Sequence, residues 1–114
     1  TRSEQSKVLI EQLSIINSKN LPVILTGDFN ESPDGSVRKN IETANLLPVD
    51  PWHELKKVSE GTHHRFSGLN KDTERIDWIL ASTHMKALEA EIIKDNDNGK
   101  YPSDHFPIFS KLEI

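Results

Sequence analysis

The stretch from Leu21 to Asn30, LPVILTGDFN, carries the most informative pattern in this chain of 114 residues. Its apolar part, Leu21 to Thr26, contains β-branched residues and ends at a glycine, which predicts a buried strand. Asp28 and Asn30 follow, and residues two apart in extended chain share a face, so both polar side chains are expected in one place. Ligands of α/β proteins bind at such strand ends. Gly, Asp and Asn also form ordinary turns, so the stretch alone leaves a simple turn open.

Length and composition restrict the class of protein. A chain of this length has room for one domain with a modest core. It has no cysteine, which excludes disulfides, thiolate metal sites and cysteine nucleophiles. Its net charge of −4 argues against a broad basic surface for nucleic acid. None of its apolar runs approaches the roughly 20 residues of a membrane span, and no sequence feature indicates a compartment.

Periodicity predicts helices and strands on both sides of this stretch. An amphipathic helix is expected from Ser3 to Lys19, with a capping box at Thr1 and Glu4 and an end near Asn20. A short helix capped by Ser36 should follow at 37–44, and an irregular connection at 48–61. The remaining segments are interpreted as strands: 62–66, 75–81, 85–93, where residues favouring helix and strand are mixed, and 106–114.

A single carboxylate interrupts the apolar strand at 75–81. Ile76, Trp78 and Leu80 should share one face, leaving Arg75 and Asp77 on the other. A carboxylate in such a strand is costly to bury unless it is paired. Asp77 therefore either pairs with Arg75, lies at an edge, or orients a histidine and stabilises its cation.

Histidines occur in two polar segments. Ser103-Asp104-His105 lies between Pro102 and Pro107, which favour irregular backbone, and only a turn would let Asp104 and His105 serve one site. Thr62-His63-His64-Arg65-Phe66 holds two imidazoles. If this segment is a strand, His64 and His63 face opposite ways, and anion contact by His64 or Arg65 is favoured over metal ligation.

Taken in order, four motifs resemble one family. Gly-Asp-Phe-Asn, Thr-x-His-x-Phe, Arg-Ile-Asp-Trp-Ile and Tyr-Pro-Ser-Asp-His-Phe-Pro are similar to the motifs of the endonuclease/exonuclease/phosphatase superfamily, the fold group of DNase I and the abasic-site endonucleases. The resemblance covers essentially the whole chain. It implies an α/β fold, namely half of a DNase I-like four-layered sandwich of mostly antiparallel sheet flanked by helices.

The resemblance also implies a phosphoesterase dependent on Mg²⁺ or Mn²⁺, with a role for each matched residue. Asp28 would activate the attacking water, His105 would contact the phosphoryl oxygens, and Asp77 would orient His105. The metal ligands would be Asp104, Asp28 and Asn30. On the substrate side, the positions that match are Asn30 and His64, while His63 replaces an aromatic residue often found there.

Members of the superfamily are longer and carry further functional residues upstream, among them a Glu that is the main metal ligand. The resemblance therefore implies that residues 1–114 are the carboxyl-terminal portion of a single domain, which needs its missing upstream half and is inactive alone. The acidic balance favours a small phosphate ester over duplex DNA. The alternative is a non-catalytic binding module that has kept the fold.

Overall fold

The computed structural model describes residues 1–71 and 73–114. Its elements, in chain order, are α1 (Arg2–Ile16), β1 (Ile24–Asp28), α2 (Ser36–Ala44), α3 (Pro51–Glu54), β2 (Asp77–Ala81), β3 (Lys86–Ile92) and β4 (Ile108–Glu113). The predicted mixed α/β class with antiparallel strands is confirmed. Within the part of the chain that the structure describes, none of the helices combines the length and apolar character that a membrane crossing needs.

Helix α1 begins where the capping box predicts. The Thr1 hydroxyl accepts a hydrogen bond from the Glu4 backbone N–H at 3.2 Å, and the Glu4 carboxylate pairs with the Thr1 amino group. The helix ends at Ile16, earlier than predicted, with Asn17 as its C-cap. The Asn17 side chain forms two hydrogen bonds with the backbone of Leu21, which turn the chain towards β1. Ile16 is exposed in the last turn of this helix.

The strands form two antiparallel pairs. β1 pairs with β2, and Asp28 at the end of β1 stands opposite Asp77 at the start of β2. β3 pairs with β4, with a register irregularity between Ala87 and Glu89. Antiparallel pairing brings the carboxyl end of one strand beside the amino end of the next, so both carboxylates lie at the same end of the first sheet.

Strand β2 of the β1–β2 sheet lies between two layers. Trp78 and Leu80 of β2 pack with α2 and the partly buried face of α1. Ile79, on the opposite face of β2, packs against Trp52 of α3 and Ala90 of β3. The predicted alternation of β2 is therefore confirmed, and both of its faces are buried.

Strand β1 departs from the prediction of a buried strand. It begins at Ile24, and only Leu25 of its five residues is partly buried, while Ile24 is 49% exposed. Among the described residues, β1 pairs with β2 along one edge and packs on the α1–α2 side alone. The side chains of β1 are apolar on both faces of the strand, but the described residues cover only the face towards α1 and α2.

Two connections also differ from prediction. The segment at 48–61, expected to be irregular, contains α3, whose first turn is capped by the Asp50 carboxylate accepting from the Trp52 N–H at 3.0 Å. The strand expected at 62–66 is reduced to one bridge between His63 and His105. Arg65 and Phe66 adopt left-handed backbone with φ of 52° and 64°, which turns the chain away from an extended path.

Candidate active site

The Gly27-Asp28-Phe29-Asn30 stretch ends β1 in a tight local structure. The Asp28 carboxylate accepts a hydrogen bond from the Asn30 backbone N–H at 2.9 Å, and Asn30 has a positive φ of 53°. Phe29 points inward and stacks on Trp78, with 4.2 Å between ring centroids and 10° between planes. Asp28 and Asn30 stay exposed and border the same small cavity. Aromatic packing thus fixes the backbone that presents the two polar side chains.

Two carboxylates directly opposite one another repel, and an imidazole lies beside this pair. His105 Nδ1 is 2.7 Å from Asp77 Oδ2, and His105 Nε2 is 3.9 Å from Asp28 Oδ2. Each of the three side chains offers a ligand atom within 4.8 Å of the others. An ionised carboxylate only accepts hydrogen bonds, so Nδ1 donates to Asp77, and Nε2 is the ring atom directed to the Asp28 side.

Charge raises the proton affinity of His105. Partial burial alone would lower the pKa of this imidazole, but the hydrogen bond and negative charge of Asp77 oppose burial, as do the charges of Asp28 and Asp104. The result is a pKa above the ordinary 6.5. The surroundings therefore stabilise the imidazolium form, which suits contact with a negatively charged group.

Arg75 does not pair with the Asp77 carboxylate, which removes that interpretation of the β2 acid. The Arg75 guanidinium donates to Asp50 Oδ2 at 3.1 Å, and Arg38 donates to the same oxygen at 2.7 Å. Desolvation would raise the pKa of Asp50, but the two cations outweigh it and lower that pKa. Trp78 Nε1 donates to the Arg75 carbonyl at 2.9 Å. This buried network anchors the start of β2. Because Arg75 pairs with Asp50, the Asp77 carboxylate pairs with His105 instead.

His63, rather than His64, lies at the site. Its ring centroid is 4.9 Å from that of His105, and its Nε2 is 3.5 Å from Asp104 Oδ2. His63, Asp104 and His105 form a second group with ligand atoms within 4.8 Å of one another. The sequence placed the two imidazoles on opposite faces but did not identify the one that meets His105. The motif showed that His63 stands where an aromatic residue is often found, but the resemblance implied no role for His63 at the site.

His64 lies in the core and is not brought to the group around His105. It is 2% exposed and stacks on Phe106 at 4.1 Å, and its Nδ1 accepts from the Gly68 N–H at 3.2 Å. Its Nε2 finds no hydrogen-bond partner among the described residues. Substrate contact by His64 stays a prediction, and in this conformation the ring lies beneath the surface.

The site residues come from four separated segments, and two groups share His105. Asp28 and Asp77 approach it from the strand ends, and His63 and Asp104 from the turns beside it. Residues 1–105 match the model of the Endonuclease/Exonuclease/phosphatase family. The chain belongs to this family. No curated protein matches it in sequence.

Solved structures resemble this member of the endonuclease/exonuclease/phosphatase family over nearly all of its residues. A mannosyl-6-phosphatase from Bacteroides thetaiotaomicron is 26% identical to this chain, with a TM-score of 0.83. The match covers 99% of this chain and 46% of the phosphatase chain. A Bacteroides vulgatus endonuclease/exonuclease/phosphatase has 25% identity and a TM-score of 0.83, with coverages of 99% and 44%. An Enterococcus faecalis protein of unknown function shares the fold at 20% identity and a TM-score of 0.78, with coverages of 98% and 44%. The chain therefore spans less than half the length of these relatives.

Proposed function

We propose that this chain carries the water-activating and phosphate-binding part of a phosphoesterase that depends on Mg²⁺ or Mn²⁺. The observation that supports the proposal is the Asp77–His105–Asp28 arrangement in a member of this family. Hydrolysis of a phosphate ester requires an oriented water and stabilisation of negative charge on the phosphoryl group. Asp28 and His105 supply a base and a hydrogen-bond donor on the same side of the sheet end.

The proposed roles follow from the contacts. Asp28 orients the water and takes its proton, because its carboxylate is exposed beside His105 Nε2. His105 donates from Nε2 to a phosphoryl oxygen. Asp77 fixes the His105 ring and its tautomer through the 2.7 Å hydrogen bond to Nδ1. Removing Asp77 would therefore act on the reaction through His105.

The donor set suits a hard divalent cation. Asp104, Asp28 and Asn30 would hold it, because they offer the carboxylate and amide oxygens that Mg²⁺ prefers, and Mn²⁺ accepts the same ligands. The close approach of Asp28 and Asp77 also favours a positive charge nearby. When bound, such an ion polarises a phosphoryl oxygen and neutralises its charge. The side chains, and not the ion, orient the water and accept its proton.

A small phosphate ester is the proposed substrate. The net charge of −4 disfavours a long nucleic-acid surface, and one structural neighbour is a mannosyl-6-phosphatase. Because the chain spans less than half the length of its neighbours, we also propose that it has little activity without the remaining part of a complete domain.

The test compares the chain alone with the chain mixed with the amino-terminal part of the Bacteroides mannosyl-6-phosphatase. Substrates are sugar 6-phosphates, a chromogenic phosphodiester and plasmid DNA, each with MgCl₂, MnCl₂ or EDTA. The expected activity appears in the mixture, requires the metal and favours the small esters. Asp28→Asn and His105→Gln should each lower it by at least about 100-fold. His53→Gln, a change in an exposed side chain of α3, should leave it unchanged.

Three results count against parts of this proposal. Activity that survives Asp28→Asn removes the water-activating role. Turnover by the chain alone, abolished by Asp28→Ala, shows that the remaining part is not needed. Rapid nicking of plasmid DNA at physiological salt reverses the substrate preference.

A further inference from the structure

We infer that His63, Asp104 and His105 form a binding site for Zn²⁺, which shares Asp104 with the Mg²⁺ or Mn²⁺ site proposed above and differs from that site by its two nitrogen ligands. The three side chains offer ligand atoms within 4.8 Å of one another. His63 takes no part in the proposed hydrolysis, yet it is the side chain that completes this group. Two imidazoles and a carboxylate with an open position form a donor set typical of zinc in proteins.

Backbone hydrogen bonds hold these ligands together. His63 and His105 form an antiparallel bridge, in which the Phe106 N–H donates to the Thr62 carbonyl at 2.7 Å. On the other side, the His64 N–H donates to the Asp104 carbonyl at 2.8 Å. Because the two turns are tied on both sides of the bridge, the imidazoles approach each other without any side-chain bond between them. Because the fold already holds the ligands together, metal binding requires little further loss of conformational entropy.

The orientation of His105 leaves the correct nitrogen for a metal. Asp77 accepts the hydrogen bond from Nδ1, so the neutral ring presents the lone pair of Nε2. A carboxylate behind a histidine in this way fixes ring and tautomer at many zinc sites and strengthens the ligand. His63 Nε2 faces Asp104 Oδ2 at 3.5 Å, an arrangement that a shared cation would tighten.

Ligand type predicts the selectivity of the site. Imidazole nitrogen favours Zn²⁺ over Mg²⁺, whereas the Asp28 and Asn30 side offers oxygen alone. A zinc ion on His105 Nε2 occupies the atom that the proposed function assigns to the phosphoryl oxygen. Zinc should therefore inhibit hydrolysis, a consequence that rests on the proposed function, whereas zinc binding itself does not.

The test measures metal binding by the 114-residue chain without any substrate. Zinc affinity is obtained by competition with a chromogenic chelator, and Co²⁺ serves as a spectroscopic substitute whose visible absorption reports ligand geometry. His63→Phe and His63→Gln should each weaken zinc binding by at least about tenfold, since loss of even an outer partner of a metal ligand has that effect. His53→Phe is the matched control, because it removes an exposed histidine from α3 and should leave the affinity unchanged.

Circular dichroism and urea unfolding check that both His63 variants fold like the wild type. Zinc affinity that is the same in wild type and both variants overturns the inference, and so does a chain that binds Mg²⁺ as tightly as Zn²⁺. In the reconstituted enzyme, zinc inhibition should be relieved in His63→Gln. If the wild type binds zinc, the variants lose this binding and the reconstituted enzyme shows no metal-dependent hydrolysis, the proposed function alone is wrong. If the reconstituted enzyme hydrolyses its substrate but the chain does not bind zinc, this inference alone is wrong.

Discussion

Replacing Asp77 with Asn tests the electrostatic core of the site. Asp77 Oδ2 and His105 Nδ1 are 2.7 Å apart, with side chains 18% and 27% exposed. A hydrogen bond between charged groups contributes about 1.5–3 kcal/mol when partly shielded from water. The substitution also relieves the Asp28–Asp77 repulsion across the strands, a gain of about 0.2–1 kcal/mol. The net expectation is a loss of about 1–2 kcal/mol in the free energy of unfolding while His105 is protonated.

The sign of the pH dependence follows from the raised pKa of His105. Since the folded-state pKa lies above the unfolded value of 6.5, this stabilisation is fully present below that value and is lost as pH rises through the folded-state pKa. Asp77→Asn should therefore be most destabilising near about pH 5.5, where unfolded histidine is mostly protonated and carboxylates are ionised. At a pH above the folded-state pKa of His105 the imidazole is neutral, so the loss should fall below about 1 kcal/mol.

Urea unfolding followed by tryptophan fluorescence, in buffer with EDTA, measures the loss at both pH values. Asp95→Asn is the control, because it makes the same charge change at an exposed loop position. An NMR titration of His105 should show its pKa lowered in Asp77→Asn and unchanged in Asp95→Asn. A loss of stability equal at both pH values, or larger at the higher one, would refute the charge-assisted pairing of Asp77 and His105.

Two further predictions concern the scaffold. Arg75→Met should lower the free energy of unfolding by about 3 kcal/mol, because it leaves the buried Asp50 carboxylate with Arg38 alone; a loss below about 1 kcal/mol in urea unfolding would contradict this. Gly61→Ala should cost about 1–3 kcal/mol, because its Cβ would lie 1.9 Å from Thr73 Oγ1 and 2.5 Å from the Thr73 carbonyl oxygen. Gly27→Ala is the matched control, since its Cβ meets nothing nearer than 3.7 Å; equal losses in the two variants would refute the steric argument.

Local patterns predicted most of the elements. The capping box at Thr1, the alternation of β2 and the strand at β3 depend on neighbours in sequence, and each is confirmed. Helix α3 was missed although Asp50 and Pro51 form a typical helix start. The partner of Arg75 could not be identified from the sequence, because Asp50 lies 25 residues away along the chain. The apolar pattern of a strand shows that a buried charged residue needs a partner, but it does not identify that partner.

The register of β1 on β2 is what brings the candidate site together, and aromatic residues determine it. A shift of one residue would move Asp28 from Asp77 and turn its side chain to the other face of the sheet. The Phe29–Trp78 stack opposes such a shift, since Trp78 is fully buried and held through Nε1 to the Arg75 carbonyl. Such a pair contributes about 0.5–1.5 kcal/mol beyond area burial. Within Gly27-Asp28-Phe29-Asn30, the apolar residue therefore sets the geometry, and the polar residues on either side of it carry the chemistry.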